Sequence, residues 1–294
     1  MRRRPIGGLA CCVLALMAAC DVPHDYRRRE FSGPAGGAKD GGAKDGAPIA
    51  VVVKFPAGGV SMGAGKGRLL YHAFVTYCTL HSECGAELVQ PGGSVQGRLT
   101  LTLLGKPGVF VGFGGERNHM DLTLSPEPPI LLDVDLGEGE SVLNLSGLRL
   151  RGMKLSAGAG DTRVIFATPN TEAQGEIVIH QPMGDLSIDW LGNANAQTVD
   201  VRGGVGTLEI DLGGQWRRDA VLTVEGSVGD VILHLPKSGP GIRLEAGSPW
   251  GDALAVPGMT RRGDALYSEG YDTAAPRVDV RVAAGIGKLI VDSS

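Results

Sequence analysis

Along most of this chain, apolar and polar residues alternate around a recurring glycine. "GAGDTRVIF", "PMGDLSIDW", "GGVGTLEIDL", "GSVGDVILHL" and "AGIGKLIVD" share one shape: a glycine turn followed by polar–apolar alternation. Gly139, Gly160, Gly184, Gly206, Gly229 and Gly287 mark the common position. The first five are separated by 21, 24, 22 and 23 residues, and the last follows after 58. Seven residues before them stand Leu132, Met153, Ile177, Val199, Leu222 and Val280. Five before stand Val134, Leu155, Ile179, Val201, Val224 and Val282; four after stand Leu143, Val164, Ile188, Ile210, Leu233 and Val291. All are apolar. Six after stand Leu145, Phe166, Trp190, Leu212, Leu235 and then Ser293. The positions four before the first five glycines (Asp135, Ser156, His180, Arg202, Glu225) and one after all six (Glu140, Asp161, Asp185, Thr207, Asp230, Lys288) are polar.

Period-two alternation on both sides of a glycine predicts two short strands, each with one buried face. A unit of about 22 residues is then a strand, a glycine turn, a second strand and a return loop. It has too little apolar surface to fold alone, but stacked on copies of itself it buries a continuous core. Glycine at the corner allows positive φ and close stacking of the turns. The predicted fold is all-β: a single parallel β-solenoid, right-handed and β-helix-like, with coils of about 22 residues. A β-sandwich of hairpins is the alternative, and it does not require so constant a period. The 58-residue gap is read as one more coil around "GIRLEAGSPWGDAL", then an irregular excursion, "PGMTRRGDALYSEGYDTAAP". Upstream, "GVSMGAGKGRLLYHAF" reads as a degenerate early copy.

Composition supports that picture. The chain has 294 residues, 43% of them apolar, with 5% aromatics and 47 glycines. Glycine without a three-residue period excludes collagen and fits many turns between short strands. A formal net charge of −4 carries no basic excess, so nucleic acid is not an expected partner.

The N-terminus reads as a processed leader. Arg2, Arg3 and Arg4 precede an apolar stretch from Leu9 to Ala19, too short for a transmembrane helix. The stretch ends in Leu16-Met17-Ala18-Ala19-Cys20, which resembles the bacterial lipobox. That resemblance implies a signal peptide over residues 1–19, cleavage before Cys20, and diacylglycerol and fatty-acyl (palmitate-type) modification of Cys20. The membrane is then a partner through the N-terminal lipid, since two or three acyl chains anchor stably. The alternative is an ordinary secretory leader with an incidental cysteine. Without the leader, 25 basic residues face 32 acidic ones, a net −7. Residues 20–47 contain "AGGAKDGGAKDGA" and are expected to be a disordered linker. Arg27, Arg28 and Arg29 lie near the anchor, where anionic headgroups or solvent would meet them. The folded domain is expected over residues 48–294. With Cys20 committed to lipid, Cys78 and Cys84 form an even pair in an oxidising compartment, and a disulfide between them is expected. His72 and His81 raise a metal site as the alternative, but one short segment rarely supplies four tetrahedral ligands.

"LLDVDLGEGESVLNLSGLRLRGMKLSAGAGDTRVIF" and "GDLSIDWLGNANAQTVDVRGGVGTLEIDLGGQW" resemble the bacterial toast-rack domain. "VEGSVGDVILHLPKSGPGIRLEAG" and "VRVAAGIGKLIV" resemble the C-terminal part that this domain shares with the LiaF family of cell-envelope stress proteins. The resemblance implies a β-helix-like solenoid, an extracytoplasmic or membrane-linked setting, and a role in envelope interaction or stress sensing. It carries no catalytic residues over. Unlike the LiaF arrangement, this chain has no multi-spanning membrane region.

β-Helices also serve as polysaccharide-cleaving enzymes, which need converging carboxylates on one face. Here Asp161, Asp185, Asp189, Asp211 and Asp230 fall at outward offsets and read as a solvated face. The six histidines are scattered, and the glycine turns do not precede helices, so no phosphate loop is present. Asn193 and Asn195 are expected in a return loop, where asparagine tolerates left-handed backbone and stacks in ladders. Trp216, Arg217 and Arg218 in "GGQWRRDA" are the candidate exposed recognition residues, suited to a glycan or anionic polymer. The alternative for them, as for Trp250, Tyr267 and Tyr271, is packing against the solenoid. The expected function is a non-catalytic, lipid-anchored interaction or sensor scaffold of the cell envelope, without cofactor or metal. Its partner would be an envelope protein or cell-wall polymer, met in the periplasm or at the cell surface. A surface adhesin or structural solenoid is the alternative, and a carbohydrate-active enzyme the third class.

Overall fold

The computed structural model of the protein describes residues 25–34, 46–89, 95–106, 117–247 and 254–293. The expected leader, Cys20, much of the linker and Trp250 lie outside the described residues.

Two sheets, of ten and twelve strands, pack with their apolar faces together. At each repeat the chain runs a long strand in the larger sheet, turns at the glycine, and runs a short strand in the smaller one. Gln174–Met183 is followed by Leu186–Asp189, and Ala196–Val205 by Leu208–Asp211. Successive copies pair in parallel at the expected offsets. Met153, Ile177, Val199, Leu222 and Val280 form one rung series. Leu143, Val164, Ile188, Ile210, Leu233 and Val291 form the series in the smaller sheet. These inward positions are buried, with the exception of Val291. That residue lies in Leu289–Ser293, the last strand of its sheet, with no next rung to cover it. Glu209 and Ile232 pair in parallel, as their shared offset requires.

The six repeat glycines have φ between 103° and 150°. A side chain would also have nowhere to go. A Cβ on Gly206 would lie 2.1 Å from the carbonyl oxygen of Gly184, and one on Gly229 would lie 2.0 Å from that of Gly206. The corner is a column of backbones in contact, which only glycine permits.

Four expectations are corrected. First, Tyr26–Pro34, placed in the disordered linker, is a strand paired antiparallel with Leu69–Cys78. Its arginines serve the fold: Arg28 lies over the Phe74 ring at 4.3 Å, and Arg29 Nη1 donates to the Cys84 carbonyl at 3.2 Å. Second, of "GVSMGAGKGRLLYHAF" only the first part belongs to the early copy, because Leu69–Cys78 pairs antiparallel with both of its neighbours. Ile49–Ala57, Gly58 at φ 110° and Gly59–Ala64 reproduce the strand–glycine–strand unit, with Val51, Val53 and Met62 buried at its inward positions.

Third, the 58-residue gap does not hold an intervening coil. Ala220–Val228 pairs directly with Arg277–Ile286, so the last copy stacks on the one before it. The extra segment lies outboard, with Gly241–Ala246 on the far side of Arg277–Ile286 and the hairpin Met259–Arg262/Ala265–Ser268 beyond it. Fourth, Trp190 does not continue the inward series. Its φ of 63° turns the side chain out to 48% exposure, and Leu191, first in the 3₁₀ turn Leu191–Ala194, is buried instead.

Candidate functional site

Of the three candidate recognition residues, Trp216 belongs to the core and Arg217 stays at the surface. Trp216 is buried at 7% exposure and its indole N–H donates to the Leu212 carbonyl at 2.8 Å. A buried indole needs such a partner, and the return loop supplies it. Arg218 Nε donates to Asn195 Oδ1 at 3.0 Å, and Arg217 is exposed with Nη2 3.3 Å from Gln215 Oε1. Asn170, Asn193 and Asn195 are buried and tie consecutive return loops together. Asn193 Nδ2 donates to the Phe166 carbonyl at 2.8 Å, and Asn195 Nδ2 to the Glu172 carbonyl at 2.7 Å. This is the ladder role expected of the latter two.

The expected Cys78–Cys84 disulfide is not formed; both are buried free thiols. Between them, at the turn 79–81, the chain crosses from the smaller sheet to the larger. Burial pushes the Cys84 thiol up, against the opposing pull of Tyr77 and Arg29.

The outward aspartates do more than meet solvent. The backbone N–H of Asp185 donates to Asp161 Oδ1 at 3.0 Å, that of Thr207 to Asp185 Oδ1 at 2.8 Å, and that of Lys288 to Asp230 Oδ1 at 2.9 Å. Each carboxylate thus closes the corner of the next copy. Beside this column an open groove of about 420 Å³ is lined by Glu140, Asp161, Arg163, Asp185 and Glu209, among others. Farther along the same sheet, His234 bridges two carboxylates, with Nε2 3.0 Å from Glu209 Oε1 and Nδ1 2.6 Å from Asp292 Oδ1. The bond to Asp292 raises its pKa above the usual histidine value, and the bond to Glu209 adds to that against partial burial. In the return loop before Gln174–Met183, burial pushes the Glu172 carboxyl up, but Arg151 and Arg149 together bring it below its usual range. Each of these ionised groups has a structural partner.

One surface feature is not absorbed by the fold. The residue immediately before each corner glycine is apolar and exposed over four successive copies: Met183 at 56%, Val205 at 52%, Val228 at 44% and Ile286 at 73%. They are in register, Met183 with Val205, Val205 with Val228, and Val228 with Ile286. Ala159 bridges Met183 at one end. Neighbouring strands lie about 4.8 Å apart, so the four side chains form a continuous apolar ridge about 15 Å long. Sequence reasoning passed over it. The signal was present one residue before each glycine, but alternation does not say which way a corner residue points.

Together these features define an all-β protein of two parallel-rich sheets, closed along one side by glycine and aspartate columns and carrying an apolar corner ridge. Residues 49–189 match the family model for the N-terminal domain of toast_rack, DUF2154. The match ends in the strand Leu186–Asp189, so Val205, Val228 and Ile286 lie beyond it. A crystal structure of a candidate cell adhesion protein from Clostridium sporogenes ATCC 15579 is similar, at 17% identity and a TM-score of 0.46. It covers 92% of this chain and 100% of its own. No curated protein matches the chain. Among the described residues no helix is long and apolar enough to cross a membrane.

Proposed function

We propose that this protein is a non-catalytic, lipid-anchored interaction scaffold of the bacterial cell envelope, a β-solenoid with coils of about 22 residues that docks through its corner ridge. The observation that carries the reading is the ridge itself. Four exposed apolar side chains in strict register, with charged residues such as Arg202, Glu225, Asp185 and Lys288 to either side, form a contiguous patch of the kind that marks interaction sites. A scattered set of exposed apolar residues would carry no such meaning. The leader ending in Ala19-Cys20 supports the anchor. The charged groups already occupied in corner closure and ion pairs support a structural rather than catalytic use of them.

Two measurements on whole bacteria test this. Cys20→Ser is expected to move the protein from the membrane fraction to a soluble one; retention in the membrane would overturn the anchor. A photo-crosslinking residue at Val205 is expected to capture a protein, whereas one at exposed Glu176 on the sheet face is not. Equal capture, or none, from both positions would overturn docking through the ridge.

A further inference from the structure

We propose that the ridge is a contact between two copies of this chain, packed corner to corner with their strand ladders running antiparallel. The proposal rests on the reading of the ridge as a docking surface and names its occupant.

The argument is one of register. A two-fold axis crossing the ridge midway between Val205 and Val228 sets Val205 against Val228 of a second copy, and Met183 against Ile286. The same operation brings each flanking row against itself in reverse order. Along the row one residue after the glycine, Asp185 then meets Lys288, twice. Along the row four residues before it, Arg202 meets Glu225, twice. The remaining pairs, Thr207 with Asp230 and His180 with Ala283, set no two like charges together. The four charged side chains of these pairs are at the surface, with Arg202 56% and Glu225 52% exposed, and Asp185 and Lys288 also exposed. Arg202 is held by Asp200 at 2.9 Å and lies 3.5 Å from Glu225 along the ladder, and the second copy extends these three charges to six.

The other two-fold arrangement, with ladders parallel, is disfavoured by the same residues. It sets one flanking row against the other, placing Glu225 by Asp230 on each side, and it brings neither Asp185 to Lys288 nor Arg202 to Glu225. Complementarity in one arrangement and repulsion in the other is how charged rims specify a partner and its orientation. Opposite net charge is not what selects the partner here, since the chain as a whole is acidic at −4. The selection lies in the order of charges along the rungs. An apolar strip about 15 Å long gives a contact at the weak end of protein interfaces. Anchoring both copies to one membrane would raise their effective concentration and compensate for that weakness.

The test uses the full chain in mild detergent. Zero-length carbodiimide coupling joins only touching amines and carboxylates. Asp185 and Lys288 stand three rungs apart within one chain, about 15 Å, so a coupled Asp185–Lys288 peptide arises only between copies. That peptide is expected in the dimer band. Sedimentation is expected to show a concentration-dependent dimer. Arg202→Glu should weaken it about tenfold, and Arg202→Glu with Glu225→Arg should restore it. Val205→Asp with Val228→Asp should abolish it while leaving the circular dichroism spectrum unchanged. A chain that stays monomeric to about 100 µM would overturn the proposal. So would equal dimerisation of the single and double charge variants, or ridge-dependent flotation of the monomer with lipid vesicles. If Val205 captures a different envelope protein while the chain stays monomeric, the self-contact falls and the docking reading stands. If it captures nothing, both fall.

Discussion

At the scale of the residue, the corner glycines are constrained twice, by conformation and by space. Gly206 has φ 141° and stands against the Gly184 carbonyl. Gly206→Ala is therefore expected to cost about 2–5 kcal/mol, strain and overpacking together, read as a drop in the urea midpoint. Gly175, with no heavy atom near its Cβ direction and no positive φ, should accept alanine with little change. His234 gives a second expectation. Its folded pKa lies above the ordinary 6.5, because Asp292 and then Glu209 favour the charged form. The stability this contributes is fully present below pH 6.5 and is lost as pH rises through the elevated folded value. His234→Gln should remove that pH dependence, so denaturation curves of variant and wild type should differ more at pH 5.5 than at pH 8.5.

At the scale of the element, the strand–glycine–strand unit was legible because side chains in a strand alternate without exception. Three inward offsets located almost the whole core of the repeats. Elements outside that regularity were not legible. Tyr26–Pro34 reads as a charged linker because its apolar contribution is Phe31 and the stems of its arginines rather than an alternating apolar face. The alternation does not place the two tryptophans of the return loops: Trp190, set inward by its offset, is half exposed, and Trp216, weighed between exposed recognition and packing, is buried. Each lies where the chain leaves extended geometry, and there period two gives no direction. Their variants should separate cleanly in thermal or chemical unfolding. Trp216→Ala opens a hole in the core and should cost about 3–5 kcal/mol. Trp190→Ala, half exposed, should cost about 1 kcal/mol or less. The thiols were misread for a related reason: sequence proximity and redox compartment do not reveal that the chain changes sheets between Cys78 and Cys84.

At the scale of the whole molecule, stability is carried from rung to rung. Each central copy touches the one before and the one after, so local opening should begin at the ends and be resisted in the middle. Hydrogen exchange is expected to be slowest in Thr162–Ile165 and Leu186–Asp189 and fastest in Leu289–Ser293, whose outer edge has no neighbour in its sheet. Uniform protection along the ladder would argue against this stacked view. The charge and apolar rows along the corner belong to this scale too. No single repeat displays a ridge, and only the parallel register makes one from four separate positions.

The spacing between corner glycines varies from 21 to 24 residues while the offsets around each glycine stay fixed. The slack is taken up in the return loops. The segment between Leu235 and Arg277 enters at the same point of the unit, and the ladder closes behind it with Val231 against Leu289. Growth and change in such a chain are therefore channelled. A residue gained or lost in a strand turns every following side chain inside out, whereas a return loop can take on a whole hairpin and leave the rungs aligned. For protein engineering, the return loops are the slots into which a reporter or binding module can be spliced, and the corner columns are the part to leave untouched.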